Sequence, residues 1–536
     1  MAWGGGNANT VDAWVKRLRD NDPSFTSLHI LSFRRITAPE LGQVFDALAG
    51  NATLKELYAS GHALDGPAAR LLATALQQNR TLERLNIGND TMGSHTEVME
   101  ILAEGLARNQ GLVRLDLENK GLGGHEGSVR ALAKALEGSE TTTTTTLQEL
   151  NLARNKLTDQ DVMILSKALS SNRTLQKLDL CLNSFSQEGT QAVAEYLASS
   201  GQALKEIDLS DNEISEEGGV AVGSSLAQNT TLERLRMSSV MDPPLPVEEG
   251  LEEFIAFDAE LAELNTALTA EQVLELRSDG DTVLETIAQS LRTNTTLQEL
   301  WMDYCNISPV GAEALASALR ENSGLVTVRM RNNSVGNRGA RALGSALTPA
   351  GGAFNSTLHS LELGENKIGV LGWHGLVGAS ALESLGLYAN KIHTLHEALE
   401  SHQSHVVSTA QSPVSPVPSS STDDIPGLDA TVSNGASSAT DVLEKLVHLD
   451  VGCNGISREH FTQLGVSLIK GQVPALIKLE IAGNGDRSES GGGGGGHSEE
   501  PEEDHEEQSA WERVATRIEE ARPNLVIHWK GAQARE

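Results

Sequence analysis

A short apolar pattern recurs along this chain, in which an anchor residue is followed by apolar residues three and five positions later. Leu147, Leu150 and Leu152 form one copy, and the same spacing returns from Leu175 and Leu204. Eight of the thirteen steps between the fourteen anchors are 28–30 residues long, so the sequence is a repeat array with insertions. The anchors are Phe25, Leu54, Leu82, Leu112, Leu147, Leu175, Leu204, Leu232, Leu297, Leu325, Leu358, Leu382, Leu446 and Leu476.

The interior of one period predicts a short strand, a tight turn and a helix. The apolar triplet suits a strand that enters a turn, and helical spacing follows, as in Ala314, Leu315, Ala318 and Leu319. Several copies carry glycine fourteen residues after the anchor, where we expect it to permit the bend into the helix. These glycines are Gly189, Gly218, Gly311, Gly339 and Gly372.

A polar position lies eight residues after the anchor, and asparagine fills it in most of the later copies. The asparagine side chain both donates and accepts hydrogen bonds, so it can satisfy backbone groups where a strand turns away. One such residue per period predicts a structural ladder along the array. Its members are Asn155, Asn183, Asn212, Cys305, Asn333, Asn366, Asn390, Asn454 and Asn484.

A single strand–turn–helix unit cannot bury its apolar side, whereas stacked units share one continuous core. Burying each leucine contributes roughly 1.5–3 kcal/mol, so the core is ample although aromatic residues are scarce. The sequence therefore predicts an α/β solenoid in the form of a horseshoe, with parallel strands on the concave face and helices on the convex face.

These copies resemble the leucine-rich repeats of the ribonuclease-inhibitor type, a subtype that also occurs in NOD-like receptors and Ran GTPase-activating proteins. The copy from Thr296 to Asn322 is a close match, and the resemblance spans roughly residues 25–484. It implies the horseshoe fold and the binding of other proteins on the concave face. It does not imply a particular function, because this fold hosts many roles.

Insertions and end segments divide the array. The acidic insertion carries apolar residues at helical spacing, while the Ser/Pro/Thr-rich and Gly/acidic segments are too polar to pack and are predicted to be disordered. The predicted boundaries are 1–24 for an N-terminal cap, 25–240 for repeats, 241–278 for the acidic helical insertion, 279–400 for repeats, 401–440 for a disordered loop, 441–484 for repeats, 485–508 for a second disordered loop and 509–536 for a C-terminal cap.

The composition limits which classes of partner and which cellular compartment we expect. The chain carries 41 Lys plus Arg against 73 Asp plus Glu, a formal charge of −32, which disfavours nucleic acid and anionic membrane surfaces. Cys181, Cys305 and Cys453 are odd in number and widely spaced, as expected for a reducing compartment. The first residues lack the apolar segment of a signal peptide, so we expect a cytoplasmic protein.

Motifs for chemistry are missing from the sequence. It contains no Gly-Lys-Ser/Thr phosphate loop, no Gly-x-Ser-x-Gly elbow, no His-Glu-x-x-His and no Cys-x-x-Cys. His393, His396, His402 and His405 form a cluster, but no cysteine or carboxylate completes a tetrahedral site, which favours ordinary polar residues. The sequence predicts a protein that is not an enzyme and holds neither a cofactor nor a metal.

Side chains on the concave face are the best binding candidates. In the N-terminal half they are acidic, at Asp116, Asp179 and Asp208. In the centre the charge reverses, and arginines flank two aromatic residues, which are the residue types enriched at binding hot spots. We expect this central group to anchor an acidic or mixed partner surface, unless its members merely pair with nearby acids. The central residues are Arg234, Arg236, Trp301, Tyr304, Arg329 and Arg331.

The Ser/Pro-rich loop offers sites for regulation. Ser412 and Ser415 each precede proline and are candidates for proline-directed phosphorylation, although a plain spacer is the simpler interpretation. Phosphate there would add negative charge to an already acidic chain and deter acidic partners.

Three functions remain open at this stage. A scaffold or adaptor that binds an unidentified protein partner agrees with every repeat feature. A GTPase activator with a small GTPase partner is suggested only by similarity to the Ran GTPase activators, and no activating residue can be transferred. A cytoplasmic sensor or inhibitor is allowed by the resemblance to NOD-like receptors and ribonuclease inhibitor.

Overall fold

The computed structural model describes residues 10–137, 146–239, 277–349, 353–407, 443–484 and 502–529, with the backbone alone in 402–407 and 502–510. The chain divides into two compact units, Met1–Met241 and Asp242–Glu536. Each unit alternates helices with short parallel strands, as the repeat predicts.

The first unit begins with a helix and then alternates strand and helix. Its helices are α1 (Val11–Arg19), α2 (Ala38–Ala49), α3 (Gly66–Gln78), α4 (Thr96–Leu106), α5 (Glu126–Leu136), α6 (Asp159–Leu169), α7 (Gln187–Ala198) and α8 (Glu216–Ser225). Its strands are β1 (Ser27–His29), β2 (Glu56–Ser60), β3 (Arg84–Gly88), β4 (Arg114–Asp116), β5 (Glu149–Asn151), β6 (Lys177–Asp179), β7 (Glu206–Asp208) and β8 (Arg234–Arg236).

The second unit repeats the same alternation. Its helices are α9 (Asp279–Leu291), α10 (Pro309–Leu319), α11 (Gly336–Leu347), α12 (Val370–Leu376), α13 (His396–Val407), α14 (Arg458–Ile469) and α15 (Glu502–Ala521). Its strands are β9 (Glu299–Trp301), β10 (Thr327–Arg329), β11 (Ser360–Glu362), β12 (Ser384–Gly386), β13 (His448–Asp450), β14 (Lys478–Glu480) and β15 (Val526–His528).

Strands pair in parallel and in chain order within each unit, with the apolar positions of successive repeats in register. Leu150 of β5 pairs with Leu178 of β6, and Leu300 of β9 pairs with Val328 of β10. The central residue of each strand is buried beneath the helices, while the residues on either side are mostly half-buried. The predicted α/β solenoid of parallel strands and helices is therefore confirmed.

The anchors form the core of each unit. Leu54, Leu204, Leu297 and Leu358 are each 0% exposed, and the residues three and five positions after each anchor are also buried. Because every repeat contributes the same inward triplet, the core runs from one repeat to the next, with each buried leucine contributing roughly 1.5–3 kcal/mol.

The repeat glycines do not lie at bends, which corrects the expectation from sequence. Gly189 is the third residue of α7, and a Cβ atom there would lie 2.7 Å from Oδ1 of Asp159 in α6. Gly311 in α10 meets Asp281 of α9 in the same way, at 2.5 Å. Their N–H groups donate to those carboxylates, so glycine is required because neighbouring helices approach closely.

Both chain ends carry capping elements. Trp14, Val15 and Leu18 of α1 are buried at the start of the first unit. At the other end Trp511 of α15 stacks on Phe461 of α14, with ring centroids 4.9 Å apart. Apolar side chains of each of these two helices therefore cover the core of the repeat next to it.

Two helices extend past the predicted loop boundaries. Helix α13 continues to Val407, within the predicted 401–440 loop, and α15 begins at Glu502, within the predicted 485–508 loop. Each amphipathic helix extends into adjacent residues with good helix propensity, such as the glutamates near Glu502. The rest of both loops lies outside the described residues, as does the insertion of 241–278 apart from Arg277 and Ser278.

Candidate functional site

The outward-pointing side chains of the strands, with the turn residues that directly follow, form a surface that we call the sheet face. In β5, for example, Glu149 and Asn151 point outward while Leu150 is buried. The helices cover the opposite side of the strands, so the sheet face is where strand side chains remain accessible to a partner.

The first outward row in the first unit consists largely of ion pairs between neighbouring strands. Arg84 lies 2.7 Å from Glu56, and Arg114 lies 2.7 Å from Glu149. Opposite charges on adjacent strands stabilise the sheet by about 0.2–1 kcal/mol per pair. These pairs neutralise one another, which leaves the second outward row to determine the charge presented to a partner.

The predicted acidic residues lie in that second row, and each also has a local structural role. Oδ1 of Asp116 accepts the N–H of Glu118 over 3.0 Å, and Asp179 and Asp208 accept the N–H groups of Cys181 and Ser210 in the same way. Aspartate at a strand end therefore stabilises the following turn, as expected for this residue type. The second oxygen of each carboxylate still contributes negative charge to the sheet face.

Asp179 and Asp208 are direct neighbours on β6 and β7, close to Cys181. One ligand atom from each of the three lies within 4.8 Å of the others, so they could hold a metal ion, which the sequence did not predict. However, burial and the hydrogen bond and charge of Asp179 raise the pKa of the Cys181 thiol far above its ordinary value. The thiol is therefore protonated at neutral pH.

Burial also raises the pKa of Asp208, and the charge of Asp179 acts in the same direction. A hydrogen bond from Ser210 and the nearby Arg236 act in the opposite direction. The first unit thus presents an acidic sheet face whose charges are close enough to repel one another.

The positive charges of Arg234 and Arg236 are neutralised by ion pairs, in contrast to the predicted basic centre. Nε of Arg234 donates to Oε2 of Glu206 over 2.9 Å, and Nη1 of Arg236 lies 3.1 Å from Oε1. Lys177 reaches the same carboxylate over 2.8 Å. Burial alone would raise the pKa of Glu206, but hydrogen bonds from Lys177 and Arg234 hold it below its ordinary value. Glu206 is a charge centre that sequence reasoning missed.

In the second unit, the structure brings together the predicted Trp301 and Arg329. The guanidinium of Arg329 lies 4.9 Å from the centroid of the Trp301 ring, on adjacent strands β9 and β10. Asp303, which is 4% exposed, accepts hydrogen bonds from the Arg329 side chain and from the backbone N–H of Arg331 over 2.7 Å. Arg329 therefore pairs with a nearby acidic side chain, which was the alternative interpretation of the sequence.

Tyr304 and Arg331 remain accessible beside this pair. Tyr304 is 53% exposed and has a positive φ of 56°, so the turn after β9 projects its ring outward. Within the described ranges, the guanidinium of Arg331 makes no hydrogen bond or ion pair. Burial raises the pKa of Glu362, and the positive charge of Arg331 opposes that rise. We call Trp301, Tyr304, Arg329 and Arg331 the aromatic–arginine patch.

Two carboxylates lie next to the patch, and the sequence analysis did not link them to it. Glu362 of β11 leans over Gly386 of β12, and Asp450 is the paired residue on the next strand, β13. Burial raises the pKa of both carboxyl groups, and the negative charge of Asp450 adds to the shift at Glu362. The available signal was the glycine at 386, because its lack of a Cβ leaves the space that Glu362 fills.

Tyr388, also missed, lies on the same face. It is 37% exposed, and its hydroxyl accepts a hydrogen bond from the thiol of Cys453 over 3.3 Å. The neighbouring Cys453 raises the pKa of the Tyr388 hydroxyl, which is protonated at neutral pH. Tyr388 thereby adds a third aromatic residue to the sheet face of the second unit.

The polar ladder residues lie beneath the turns and bind backbone groups of adjacent repeats. Nδ2 of Asn212 donates to the carbonyls of Leu180 and Leu209 over 3.0 and 2.9 Å. The N–H of Cys305 donates to Oδ1 of Asn333 over 3.0 Å. The remaining members make corresponding bonds, namely Asn155, Asn183, Asn366, Asn390, Asn454 and Asn484.

The predicted histidine cluster has a different membership in the structure. His393 and His396 lie beside His460 of α14, with ring centroids 6.3 and 6.0 Å from it. The side chains of His402 and His405 lie outside the described residues. His460 was missed because it lies in the next repeat, more than sixty residues further along the chain.

Ser412 and Ser415 also lie outside the described residues, so their phosphorylation stays a prediction. Within the ranges that the structure does describe, no helix combines the length and the hydropathy needed to cross a bilayer.

Comparison with known proteins yields two family models. One, described as the TMOD/LMOD leucine-rich domain, matches residues 7–143. The other, described as a leucine rich repeat, matches residues 144–166, 202–223, 293–316 and 354–372. The matched segments therefore include repeats of both units.

Solved structures give weaker likenesses. The tropomodulin C-terminal domain from Caenorhabditis elegans is 14% identical, with 35% of this chain and 92% of that chain covered and a TM-score of 0.23. An internalin from Listeria monocytogenes is 13% identical, with 90% of this chain and 89% of that chain covered and a TM-score of 0.37. A chain from the TLR13–ssRNA13 complex is 14% identical, with 86% of this chain and 62% of that chain covered and a TM-score of 0.37.

Proposed function

Because the chain belongs to the leucine-rich repeat proteins, we propose that it is a non-enzymatic scaffold or adaptor that binds a protein partner through its sheet face. Repeat proteins of this kind generally bind partners along the extended surface that their stacked units create. The observation that carries the proposal is the aromatic–arginine patch, with Trp301 held against Arg329 and with Arg331 beside them.

The composition of the patch supports a binding role. Tryptophan, tyrosine and arginine dominate the residues that contribute most of the energy at protein interfaces. The stacking of Arg329 on Trp301 contributes about 0.5–2 kcal/mol and holds both side chains in one arrangement before a partner arrives. Such preorganisation lowers the entropy that binding costs.

The charges of the patch suggest the chemistry of the partner. Asp303 already neutralises Arg329, whereas the Arg331 guanidinium has no ion-pair partner within the described ranges. We infer a partner that places an Asp or Glu side chain on Arg331 and an apolar side chain on Trp301. The acidic sheet face of the first unit would favour basic groups instead.

A lysate pull-down with quantitative mass spectrometry tests this proposal. The wild type is compared with the double variant Trp301→Ala, Arg331→Glu, which removes the ring and reverses the charge. A matched control, Met163→Ala with Lys167→Glu, makes the same type of change on exposed residues of α6. Circular dichroism and thermal unfolding verify that all three proteins fold.

We expect at least one partner to fall tenfold or more with the patch variant and to be retained by the control variant. Identical partner lists for the wild type and the patch variant would refute the proposed site. The matching family models do not support a GTPase activator, a small GTPase partner or a NOD-like sensor, and we do not propose these roles.

A further inference from the structure

Three early repeats carry other residues where later repeats have the ladder asparagine. His62, Asp90 and Lys120 lie eight residues after their anchors, and the asparagine ladder begins only at Asn155. Lys120 crosses two repeats, because its Nζ donates a hydrogen bond to Oγ of Ser60 over 2.7 Å. Lys120 therefore links the turn after β4 to the end of β2.

A cavity of about 500 Å³ opens at these turns, within the first unit. Ser60, Asn86, Asp90, Asn119 and Lys120 contribute to its lining, and every side chain that lines it is polar. Its volume lies within the range of about 300–1,000 Å³ that small-molecule sites occupy. A lining without apolar side chains favours a ligand that is recognised by hydrogen bonds and charge.

Lys120 provides an incompletely bonded cation at this cavity. The residue is 2% exposed, and its ammonium group has three N–H donors, of which the structure pairs one, with Ser60. Burial lowers the pKa of Lys120, while the charges of Asp116, Glu118 and Asp90 oppose the change. A buried charge with one neutral hydrogen-bond partner is unfavourable, so an oxygen ligand with negative charge would complete its coordination.

The same cavity also presents a buried acceptor that has no donor among the described residues. Nδ2 of Asn86 donates to Asp116 over 2.6 Å, which fixes the orientation of the amide. Oδ1 of Asn86 is buried and has no hydrogen-bond partner within the described residues. The carboxylate of Asp90 lines the cavity as well, so this part of the lining favours a positively charged donor.

We propose that the cavity binds a small zwitterion of the α-amino-acid class, with its carboxylate on Nζ of Lys120 and its ammonium group on Oδ1 of Asn86 and the carboxylate of Asp90. A simple anion is disfavoured because Asp90, Asp116 and Glu118 surround the lysine. A simple cation is disfavoured by Lys120 itself. This site is separate from the aromatic–arginine patch and does not depend on the proposed scaffold function.

Isothermal titration calorimetry of the full chain tests the proposal, with the twenty standard L-amino acids titrated singly and with acetate and methylammonium as half-ligands. Lys120→Met removes the ammonium group, and Lys120→Asn installs the residue that later repeats carry at this position. Lys134→Met in α5 is the matched control, because it removes an exposed lysine of the same unit. Thermal unfolding verifies that each variant is folded.

We expect at least one amino acid to bind, with a tenfold or greater loss of affinity in both Lys120 variants and no loss in the Lys134 control. Asp90→Asn should weaken binding as well, and each half-ligand should bind at least tenfold more weakly than the amino acid. The proposal is overturned if no amino acid binds, if both folded Lys120 variants retain affinity, or if acetate binds as tightly as the best amino acid.

Discussion

The backbone N–H of Asn155 donates a hydrogen bond to the side-chain Oδ1 of Asn183, one repeat further along, over 2.9 Å. The same oxygen accepts the N–H of Leu157 over 3.0 Å, while Nδ2 of Asn183 donates to the carbonyls of Leu152 and Leu180. Nδ2 also donates to the carbonyl of Cys181 over 3.3 Å, so a single side chain satisfies five backbone groups in two repeats. Such groups are costly when they are buried without a partner.

Asn183→Ala should therefore destabilise the protein by about 2–4 kcal/mol, because several buried backbone groups lose their partners together. Chemical denaturation followed by circular dichroism measures the change. Asn89→Ala is the control, since among the described residues the Asn89 side chain bonds only to Thr91, and its effect should stay within about 0.5 kcal/mol. Equal effects for the two variants would contradict a structural role for the ladder.

Glu206→Gln should lower the free energy of unfolding at pH 7 by about 1–3 kcal/mol, because Lys177, Arg234 and Arg236 lose the charge that neutralises them. The folded pKa of Glu206 lies below its ordinary value of 4.5. The stabilisation is therefore fully present above that ordinary value and is lost as the pH falls through the folded pKa.

Denaturation curves from pH 7 down to pH 3 test this pH dependence. The difference between wild type and Glu206→Gln should shrink below the ordinary pKa of 4.5. Glu233→Gln removes a pair with Lys205 and a longer contact of 3.9 Å with Arg234, and it should change stability by less than about 1 kcal/mol. A difference that stays constant across the pH range would show that the carboxylate charge is not responsible.

Gly344→Ala should destabilise the second unit by about 1–3 kcal/mol through overpacking, even though alanine favours helices by about 1 kcal/mol. A Cβ atom at Gly344 in α11 would overlap the backbone carbonyl of Gly375 in α12. Gly50→Ala is the control, because no atom lies within 4 Å of the added carbon. Thermal unfolding of both variants measures the contrast, and a stable Gly344→Ala protein would contradict the close helix contact.

Trp511→Ala should cost about 3–5 kcal/mol, because it removes a large buried ring that stacks on Phe461 at the end of the second unit. Trp511→Phe keeps an aromatic ring there and should cost less than about 1.5 kcal/mol. Urea denaturation followed by circular dichroism distinguishes the two variants. Comparable losses for both would show that the stacked geometry matters less than the indole itself.

Arg522 provides a second check on this end of the chain. Its guanidinium donates to the carbonyls of Gln472, Val473 and Pro474, and burial lowers its pKa. Arg522→Lys keeps the charge but cannot span the same set of carbonyls. We expect it to lower the free energy of unfolding by about 1–2 kcal/mol in the same assay.

The repeat itself was determined by the sequence, because burial of the anchor triplet depends on spacing alone. Leu150 and Leu178 were identifiable as paired core residues, and so was the position of Asn183 beneath the turn. Each strand is so short that its inward residue follows from the anchor. Elements and core were therefore predictable wherever the period was intact.

Only the tertiary structure decided how side chains on the sheet face combine. Glu206 forms ion pairs with three cationic side chains. Asp303 forms an ion pair with Arg329, whereas the Arg331 side chain has no ion-pair partner in the described ranges. Lys120 reaches Ser60 across two repeats. The physical reason is that a repeat fixes the positions of Cα atoms but not the contacts of long charged side chains. Each such side chain can reach several neighbours on different strands, and its rotamer, burial and charge determine which one it binds.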